Sequence, residues 1–326
     1  MSASDPPKIA IVGAGSVGAT IAYACMIRGV ASRYALYDLD ARKVAAQTLD
    51  LNHGLQFVVP STIEGSDDPA VCEGAAVLVI TAGATQKPGQ TRMELAAANT
   101  AICRDMLPRL QAVAPDAIVL LVTNPVDVIT QVAVRISGLP RGRVLGSGTV
   151  LDSSRFRFLI GRRLKVATQN VHAYIVGEHG DSEVPLWSSA TVSGVPLHEW
   201  AVPGHGKLTV RDRTEIFQNV KTAAYQIIEG KGATNFAIGL ATAQIIDAIL
   251  RDQNRVLPVS TLVENWNALG DRSDPPLLND VCLSLPSIVN RRGVEPPLAI
   301  SLNENEKAGL RHSAEIIRSS VRAVGF

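Results

Sequence analysis

The chain has 326 residues, of which 46% are hydrophobic and 19% charged, and this composition predicts a folded protein of one large or two ordinary domains. Its 31 basic and 30 acidic residues leave a formal net charge of +1, which gives no electrostatic basis for binding nucleic acid or anionic membranes. The uninterrupted apolar runs, such as 75–80 and 117–122, are far shorter than the ~20 residues that a membrane span needs. We therefore expect no nucleic-acid partner and no membrane partner.

The amino-terminal segment and the cysteines predict a cytoplasmic protein. Residues 1–7 contain an Asp and two prolines where a targeting sequence would have a basic segment followed by an apolar one. The four cysteines are far apart in sequence and form no CxxC pair, which is typical of free thiols in a reducing compartment. They are Cys25, Cys72, Cys103 and Cys282.

The first half of the chain alternates short apolar runs with helical patterns, as right-handed βαβ units do. The predicted strands are 9–12, 34–37, 77–81, 118–122 and 144–145, and the predicted helices are 17–28, 41–51 and 92–113. After residue 146 the predicted helices are 152–164, 211–229, 233–250 and 304–324, with strands at 171–176, 259–263 and 281–286 and an exposed loop at 264–278.

This change of pattern places a domain boundary near residues 146–150, which divides the chain into 1–146 and 147–326. The predicted fold class is α/β, with a doubly wound parallel (Rossmann) sheet in the first domain followed by an α+β domain.

A dinucleotide-binding motif follows the first predicted strand, where Gly13, Gly15 and Gly18 lead into an apolar helix. The first glycine allows a tight turn, the second lets the backbone approach a pyrophosphate, and the third lets the helix pack on the strand. Asp38 lies 20 residues after Gly18, at the end of the second strand, where a carboxylate can bind both ribose hydroxyls and repels a 2′-phosphate. The motif predicts NAD, because strand, helix and acid are all in register.

The sequence lacks the motifs of phosphate-binding P-loops, serine hydrolases and metal sites. Residues 204–208 contain Gly-Lys, but the Ser or Thr of a P-loop and its first glycine are missing. The chain has no GxSxG sequence of a serine hydrolase, and its six histidines show no metal-ligand spacing.

Four further stretches have the residues of hydride-transfer chemistry: 82–92, 123–127, 151–155 and 177–181. The first follows a buried strand, is rich in Gly and polar residues, and is typical of a mobile lid. In this order, together with the glycine motif, the set resembles the lactate/malate dehydrogenase family, and within it the bacterial L-lactate dehydrogenases. The resemblance extends from Lys8 to about Phe326.

The resemblance implies roles that are chemically reasonable. His179, in a glycine-flanked turn, would donate the proton to the developing alkoxide, and Asp152 would fix its tautomer. Arg155 would bind the substrate carboxylate, and Arg92 would polarise the carbonyl when the lid closes. Taken singly, His179 is more typical of a turn histidine bound to backbone. The Asp152–Arg155 spacing also fits a surface pair, and Arg92 also fits a solvated arginine.

The resemblance also implies further site residues. Thr234 would line the pocket beside the substrate side chain, and Asn124 would hold the reacting oxygen beside a cis Asn124–Pro125 bond. The cofactor contacts it implies are Gly13, Gly15, Val17, Gly18, Asp38, Lys43, Gly83, Ala84, Val122, Asn124 and Ser147.

Gln86 in the lid favours pyruvate as the substrate. Malate dehydrogenases place an arginine there to pair with a second carboxylate, and a neutral glutamine would leave that charge buried and unpaired. Malate or another 2-hydroxy acid stays an alternative substrate, and a non-catalytic NAD-binding sensor or structural protein stays an alternative class. Gln90 and the pair 235–236 depart from the usual family residues, which leaves lid closure and side-chain tolerance open.

The resemblance finally implies a homo-oligomer, a tetramer as in the family, and activation by fructose 1,6-bisphosphate. Arg157 and His172 match the effector-site positions, where two subunits would share the phosphates of one ligand. Either residue alone is more typical of a solvated helix arginine or a backbone-bound histidine.

Overall fold

The computed structural model describes residues 6–84, 91–201 and 206–326. Over these ranges the helices are α1 (Ser16–Ile27), α2 (Ala41–His53), α3 (Arg92–Val113), α4 (Val126–Ser137), α5 (Val150–Leu164), α6 (Val210–Lys231), α7 (Phe236–Leu250) and α8 (Glu304–Ala323). The strands are β1 (Lys8–Val12), β2 (Arg33–Tyr37), β3 (Thr62–Ser66), β4 (Ala75–Ile80), β5 (Ile118–Leu121), β6 (Val144–Gly146), β7 (Val171–His172), β8 (Ile175–Val176), β9 (Val184–Pro185), β10 (Thr191–Val192), β11 (Val195–Pro196), β12 (Arg255–Val263), β13 (Val281–Asn290) and β14 (Gly293–Val294).

The largest sheet has the strand order β14-β13-β12-β6-β5-β4-β1-β2-β3. Strands β1 to β6 are parallel, in the 3-2-1-4-5-6 order of a doubly wound dinucleotide-binding fold. The antiparallel strands β12, β13 and β14 of the second half extend the sheet, joining it where Ser260 pairs with Gly146. This architecture confirms the predicted fold class.

The parallel strands lie in the interior of the molecule. Every residue of β1, β5 and β6 is buried, as expected for strands covered by helices on both faces. One face packs on side chains of α1, α2 and α7, and the other packs on α3 and α4. The four cysteines are free and buried, and over the described ranges no helix is long and apolar enough to cross a membrane.

The strand order reverses between β1 and β4, and this switch point opens a crevice at the carboxyl ends of the strands. Gly13 follows β1 there with a φ of +103°, and a Cβ on it would come 2.7 Å from the Ala82 nitrogen. The Thr81 hydroxyl, just after β4, donates to the carbonyl oxygens of Val12 and Gly13 at 3.0 Å each. The backbone after β1 and β4 is therefore packed tightly at the base of the crevice.

The structure differs from the predicted elements in several places, and the short strands β9, β10, β11 and β14 were not predicted. The edge strand β3 was not predicted because Ile63 is its one buried residue, so no apolar run marks it. Helix α4 was not predicted because its sequence is rich in Val, Ile and Thr, which favour strands. The predicted strand 171–176 is wrong as a single element, since β7 and β8 belong to different small sheets.

The predicted exposed loop 264–278 is also wrong in part. Trp266 and Leu278 are buried near its two ends and exchange backbone hydrogen bonds of 2.9 and 3.1 Å. Trp266 additionally donates from its indole nitrogen to the Leu298 carbonyl at 3.2 Å. These apolar residues attach the base of the loop to the cluster formed by β13 and α8.

Candidate active site

The glycine-rich turn between β1 and α1 is held by a carboxylate from the next strand. Asp38, directly after β2, accepts a hydrogen bond from the Ala14 N–H at 2.7 Å and another from the Asp40 N–H at 3.0 Å. Lys43 of α2 places its Nζ 3.5 Å from Asp38 Oδ1. Asp38 is therefore fixed beside the turn, with 15% of its side chain exposed.

The turn fits the pyrophosphate of a dinucleotide. No side chain caps the amino end of α1, which leaves its first N–H groups and the positive end of its dipole facing the crevice. A Cβ added at Gly15 would meet no atom within 4 Å, whereas one at Gly18 would overlap the Gly13 carbonyl oxygen. The open space lies above Gly15, where a phosphate must approach, and the tight packing lies at Gly18.

A second group of functional side chains surrounds the turn after β8. Gly177 starts this turn with a φ of +86° and exchanges two backbone hydrogen bonds of 2.9 Å with Ser284 of β13. The backbone N–H of His179 donates to Asp127 Oδ2 of α4 at 2.7 Å. Contacts to the sheet and to a helix thus fix the backbone that carries the imidazole.

The His179 ring forms a close pair with Asp152. Its Nδ1 lies 2.5 Å from Asp152 Oδ2, and the two side chains are 27% and 3% exposed. Burial alone would lower the pKa of His179, but the charge and hydrogen bond of Asp152 outweigh it and raise the pKa to about 9. Burial opposes ionisation of Asp152 too, yet the positive charges of His179 and Arg155 hold its pKa below the ordinary value. At neutral pH the pair is an imidazolium and a carboxylate.

Arg155 lies on the other side of the same carboxylate. Its Nη1 donates to Asp152 Oδ1 at 2.8 Å, and its side chain is 15% exposed. The two residues are three apart on α5, so one turn of helix sets their geometry. Asp152 is shared between two cations, which keeps both side chains oriented.

Val17 at the start of α1 and residues of the His179 group line one cavity of about 250 Å³. The lining residues are Val17, Thr81, Gly83, Val122, Thr123, Asn124, Ser147, Gly148, Leu151, Arg155, His179, Ala224, Ile228, Thr234 and Ile238. The cavity extends from the first turn of α1, through the carboxyl ends of β4 and β5, to the His179 turn and the helices α6 and α7. It can hold a dinucleotide's reactive end beside a small anionic substrate.

Comparison with known proteins agrees with this geometry. A family model described as the lactate/malate dehydrogenase NAD binding domain matches residues 7–146, and the model of the alpha/beta C-terminal domain of the same family matches 149–324. The chain belongs to the lactate/malate dehydrogenase family. The resemblance in sequence is thereby confirmed, and so is NAD as the cofactor of this dehydrogenase.

Individual members of the lactate/malate dehydrogenase family are similar over almost their whole length. An L-lactate dehydrogenase of Bifidobacterium animalis subsp. lactis is 51% identical over 98% of both chains, and that of Thermus aquaticus is 46% identical over 98% of this chain and all of the relative. The solved minor L-lactate dehydrogenase of Enterococcus mundtii is 38% identical and superposes with a TM-score of 0.90 over 98% of each chain. A lactate dehydrogenase from a Medee basin deep-sea metagenome gives the same TM-score and identity over 98% of this chain and 99% of its own.

Eight of the predicted site residues come together in the cavity of this lactate/malate dehydrogenase. The predicted residues that line it are Val17, Gly83, Val122, Asn124, Ser147, Arg155, His179 and Thr234. The Asn124–Pro125 bond is cis, as the resemblance implies. The backbone N–H of Ala84 donates to Asn99 Oδ1 at 2.6 Å, next to the lining residue Gly83.

Arg92 does not line the cavity as the described residues define it. Its Nη2 lies 3.1 Å from Asp181 Oδ2 and donates to the Tyr225 hydroxyl at 3.0 Å, so the guanidinium rests on the His179 turn and α6. Gln86 and Gln90, with most of the predicted lid, lie outside the described residues.

The two predicted effector residues lie on α5 and β7, which contact each other. Arg157 of α5 donates from Nε to the Ala173 carbonyl at 2.7 Å and stacks 4.8 Å from the centre of the Tyr174 ring. His172, at the end of β7, is exposed. Over the described ranges no group of three His, Cys, Asp or Glu residues is placed to hold a metal.

Several residues of the site were not predicted. Buried Asn99 of α3 donates to the Asn124 carbonyl at 2.7 Å while it binds Ala84, so it joins two strand ends. Glu183 is 6% exposed. Its burial raises its pKa to about 8, and the negative charge of Asp152 adds to this effect. Asp127 lies within the 123–127 motif, but no signal in the sequence shows its contact with a turn 52 residues away.

Proposed function

We propose that the protein is an L-lactate dehydrogenase that interconverts pyruvate and L-lactate. The observation that carries this proposal is the shared placement of His179, Asp152 and Arg155, two of which line one cavity with the glycine-rich edge of the sheet. A 2-oxo acid needs a cation for its carboxylate and a proton donor at its carbonyl, and these side chains are of those two kinds.

In this proposal His179 exchanges the proton. Because Nδ1 is bound to Asp152, Nε2 is the nitrogen that donates to the substrate oxygen during reduction. The raised pKa of about 9 keeps that proton in place at neutral pH. When bound, NADH supplies the hydride for the carbonyl carbon.

Arg155 would bind the substrate carboxylate, and Arg92 would move from Asp181 and Tyr225 toward the carbonyl oxygen. Thr234 and Asn124 would contact the substrate, and Asn124 would also contact the cofactor. The remaining cofactor contacts we propose are Gly13, Gly15, Val17, Gly18, Asp38, Lys43, Gly83, Ala84, Val122 and Ser147.

The described part of the cavity favours a substrate with one carboxylate. The side chains that α6 and α7 contribute to its lining are Ala224, Ile228 and Ile238, which suit a methyl group and offer no partner to a second charge. We also propose that Gln86 faces this side chain. A closed site around a dicarboxylate would bury an unpaired charge at a cost of several kcal/mol.

The deciding experiment compares kcat/KM for pyruvate and oxaloacetate with NADH. We expect pyruvate to be preferred, and Gln86→Arg to move the preference toward oxaloacetate. If the native protein preferred oxaloacetate, the proposed activity would instead be that of a malate dehydrogenase.

His179→Ala should abolish most turnover and leave NADH binding, followed by fluorescence, intact. Turnover absent from the native protein, with NADH still bound, would indicate a non-catalytic NAD-binding protein.

We further propose activation by fructose 1,6-bisphosphate at Arg157 and His172. The contact of Arg157 with Ala173 brings its guanidinium beside the strand that ends in the exposed His172, which supports a shared phosphate site. Pyruvate saturation curves with and without millimolar effector test this. Coincident curves, or an unchanged response in Arg157→Gln with His172→Ala, would refute it.

We also propose a two-domain homotetramer in the cytoplasm, divided near residues 146–150. Large apolar side chains are exposed on the neighbouring helices α1 and α7, including Ile27 at 55% and Phe236 at 68%, which supports an interface between subunits. Buried free thiols support a reducing compartment. Sedimentation of an active ~35 kDa particle at micromolar concentration would contradict the assembly, and cell fractionation tests the location.

A further inference from the structure

The turn between α6 and α7 is hydrogen-bonded to α1 through one side chain, as far as the chain is described. Asn235, the residue before α7, donates from Nδ2 to the hydroxyl oxygen of Thr20 in α1 at 2.9 Å. The other hydrogen bonds of residues 231–235 among the described residues stay within α6, α7 and the turn itself. The Asn235–Thr20 bond therefore determines how this turn is held against α1.

The polar groups of this contact are matched to one another. The Lys231 ammonium has donors alone and donates to Asn235 Oδ1, so the amide N–H groups are left for Thr20. The Thr20 hydroxyl donates its own proton to the Ser16 carbonyl at 2.6 Å, and it is therefore an acceptor toward Asn235. Because each atom has one role, the amide cannot turn over without losing both of its bonds.

The helices α1 and α7 also approach each other closely at this point. A Cβ added at Gly239, in the first turn of α7, would come 2.6 Å from Thr20 Cγ2 and 3.1 Å from the Thr20 carbonyl oxygen. The Thr20 side chain is thus held between the Asn235 amide and the Gly239 backbone. Such tight packing leaves the start of α7 little room to shift relative to α1 while the hydrogen bond is in place.

Both ends of the contact belong to walls of the cavity. Val17 lies one turn before Thr20 on α1 and lines the cavity. Thr234 and Ile238, which lie on either side of Asn235 in sequence, line it too, whereas Asn235 is not part of the described lining. The hydrogen bond therefore fixes two parts of the lining relative to each other without contacting what the cavity holds.

We propose that Asn235 is a positioning residue that sets the width of the substrate's side-chain pocket, because it holds Thr234 at a fixed place relative to α1. This inference rests on the proposed function, in which Thr234 faces the side chain of a small 2-oxo acid. A pocket of fixed width discriminates against a longer side chain, since its wall must move to admit one more methylene. Release of the turn makes that movement easier, so longer 2-oxo acids gain more than pyruvate does.

The test compares kcat/KM for 2-oxobutyrate and pyruvate, which differ by one methylene. Asn235→Ala removes the amide, and Thr20→Val removes the hydroxyl while it keeps the shape of the side chain. We expect either substitution to raise the ratio of 2-oxobutyrate to pyruvate by roughly threefold to tenfold, mainly through a lower KM for 2-oxobutyrate. The double variant should show no larger change, because both substitutions break the same bond. Thr20→Ser keeps the hydroxyl and should retain the wild-type ratio.

Thr222→Val is the matched control for Thr20→Val. The Thr222 hydroxyl also donates to a carbonyl four residues before it, that of Gln218 at 2.9 Å, and accepts from an amide, that of Gln226 at 3.4 Å. All three residues belong to α6, so this substitution removes the same groups without releasing the turn. The ratio of the two substrates should stay unchanged in Thr222→Val.

A second measurement needs no turnover. Amide hydrogen–deuterium exchange of residues 231–236 in the free protein, followed by mass spectrometry, should be faster in Asn235→Ala and Thr20→Val than in the wild type and Thr222→Val. The exchange of this segment reports directly whether the bond to α1 holds the turn.

A wild-type substrate ratio in folded, active Asn235→Ala and Thr20→Val would overturn the proposal, and so would unchanged exchange of residues 231–236. A native protein that reduces neither acid would refute the proposed function. In that case, faster exchange in the two variants would still support the role of Asn235 in holding the turn, and unchanged exchange would refute it.

Discussion

Replacement of Asp152 by asparagine should reveal how much of the site's activity depends on a protonated His179. The pKa of His179 is raised from 6.5 to about 9, and this difference corresponds to roughly 3 kcal/mol in favour of the imidazolium. Burial opposes this shift, so the attractions of Asp152, Asp127 and Glu183 together exceed the net value, and Asp152 supplies the largest of them. Without that charge we expect the pKa of His179 to fall to 6.5 or below.

The expected loss follows from the fraction of protonated enzyme. At about pH 7.5 nearly all wild-type molecules carry the His179 proton, whereas about a tenth of Asp152→Asn molecules would carry it if the pKa fell to 6.5. The kcat/KM for pyruvate reduction should therefore fall at least about tenfold at this pH. The loss should shrink toward about pH 5.5, where both proteins are protonated.

The assay is the rate of NADH oxidation at 340 nm between about pH 5.5 and 9.5. The alkaline limb of the kcat/KM profile should move to lower pH in Asp152→Asn. The NADH affinity should stay the same, because Asp152 lies beyond the lining of the cavity. An alkaline limb at the same pH as in the wild type would mean that another group sets the proton affinity of His179. A pH-independent loss would mean that Asp152 orients the ring and does little to its charge.

Three further substitutions, one of them with a matched control, test the carboxylate site and the cofactor turn. Arg155→Lys keeps the charge but loses the planar guanidinium, so KM for pyruvate should rise by about two orders of magnitude with NADH binding unchanged. Asp38→Asn should weaken NADH about tenfold and reduce discrimination against NADPH, measured by fluorescence titration. Gly18→Ala should lower the free energy of unfolding by about 1–3 kcal/mol, because the new Cβ overlaps the Gly13 carbonyl. Its matched control, Gly15→Ala, should keep the wild-type Tm and weaken cofactor binding instead, since the space above it is open.

The sequence predicted the parts of this molecule in which one local pattern has one structural meaning. Buried parallel strands such as β5 consist of apolar residues alone, so they are visible as runs. Helix α4 was missed although its polar residues Asp127, Thr130, Gln131 and Arg135 recur at the spacing of one helix face. Its β-branched composition favours a strand, and tertiary packing overrides that preference.

The residues of the site also divide into those that a local sequence pattern marks and those that it does not. The glycine motif and the Asp152–Arg155 spacing are local, and both could be interpreted from the residues themselves. The contact of His179 with Asp127 joins positions 52 apart, and the bond of Asn99 to Asn124 joins positions 25 apart. Such contacts depend on strand order, which no local pattern specifies. The family resemblance provided the His179–Asp152 pair but not these supporting residues.

Glu183 explains how a site with several buried acids can still attract an anion. Asp152 and Asp127 balance the charges of Arg155 and His179, and a third carboxylate nearby would repel the substrate. The pKa of Glu183 is raised to about 8, first by burial and then by Asp152, so this group is mostly neutral at pH 7. As the pH passes 8 its charge appears, and the KM for pyruvate should rise before His179 loses its proton at about 9. In Glu183→Gln that early rise should disappear, leaving a single alkaline limb. A KM that rises at the same pH in both proteins would show that the titration of Glu183 does not reach the substrate.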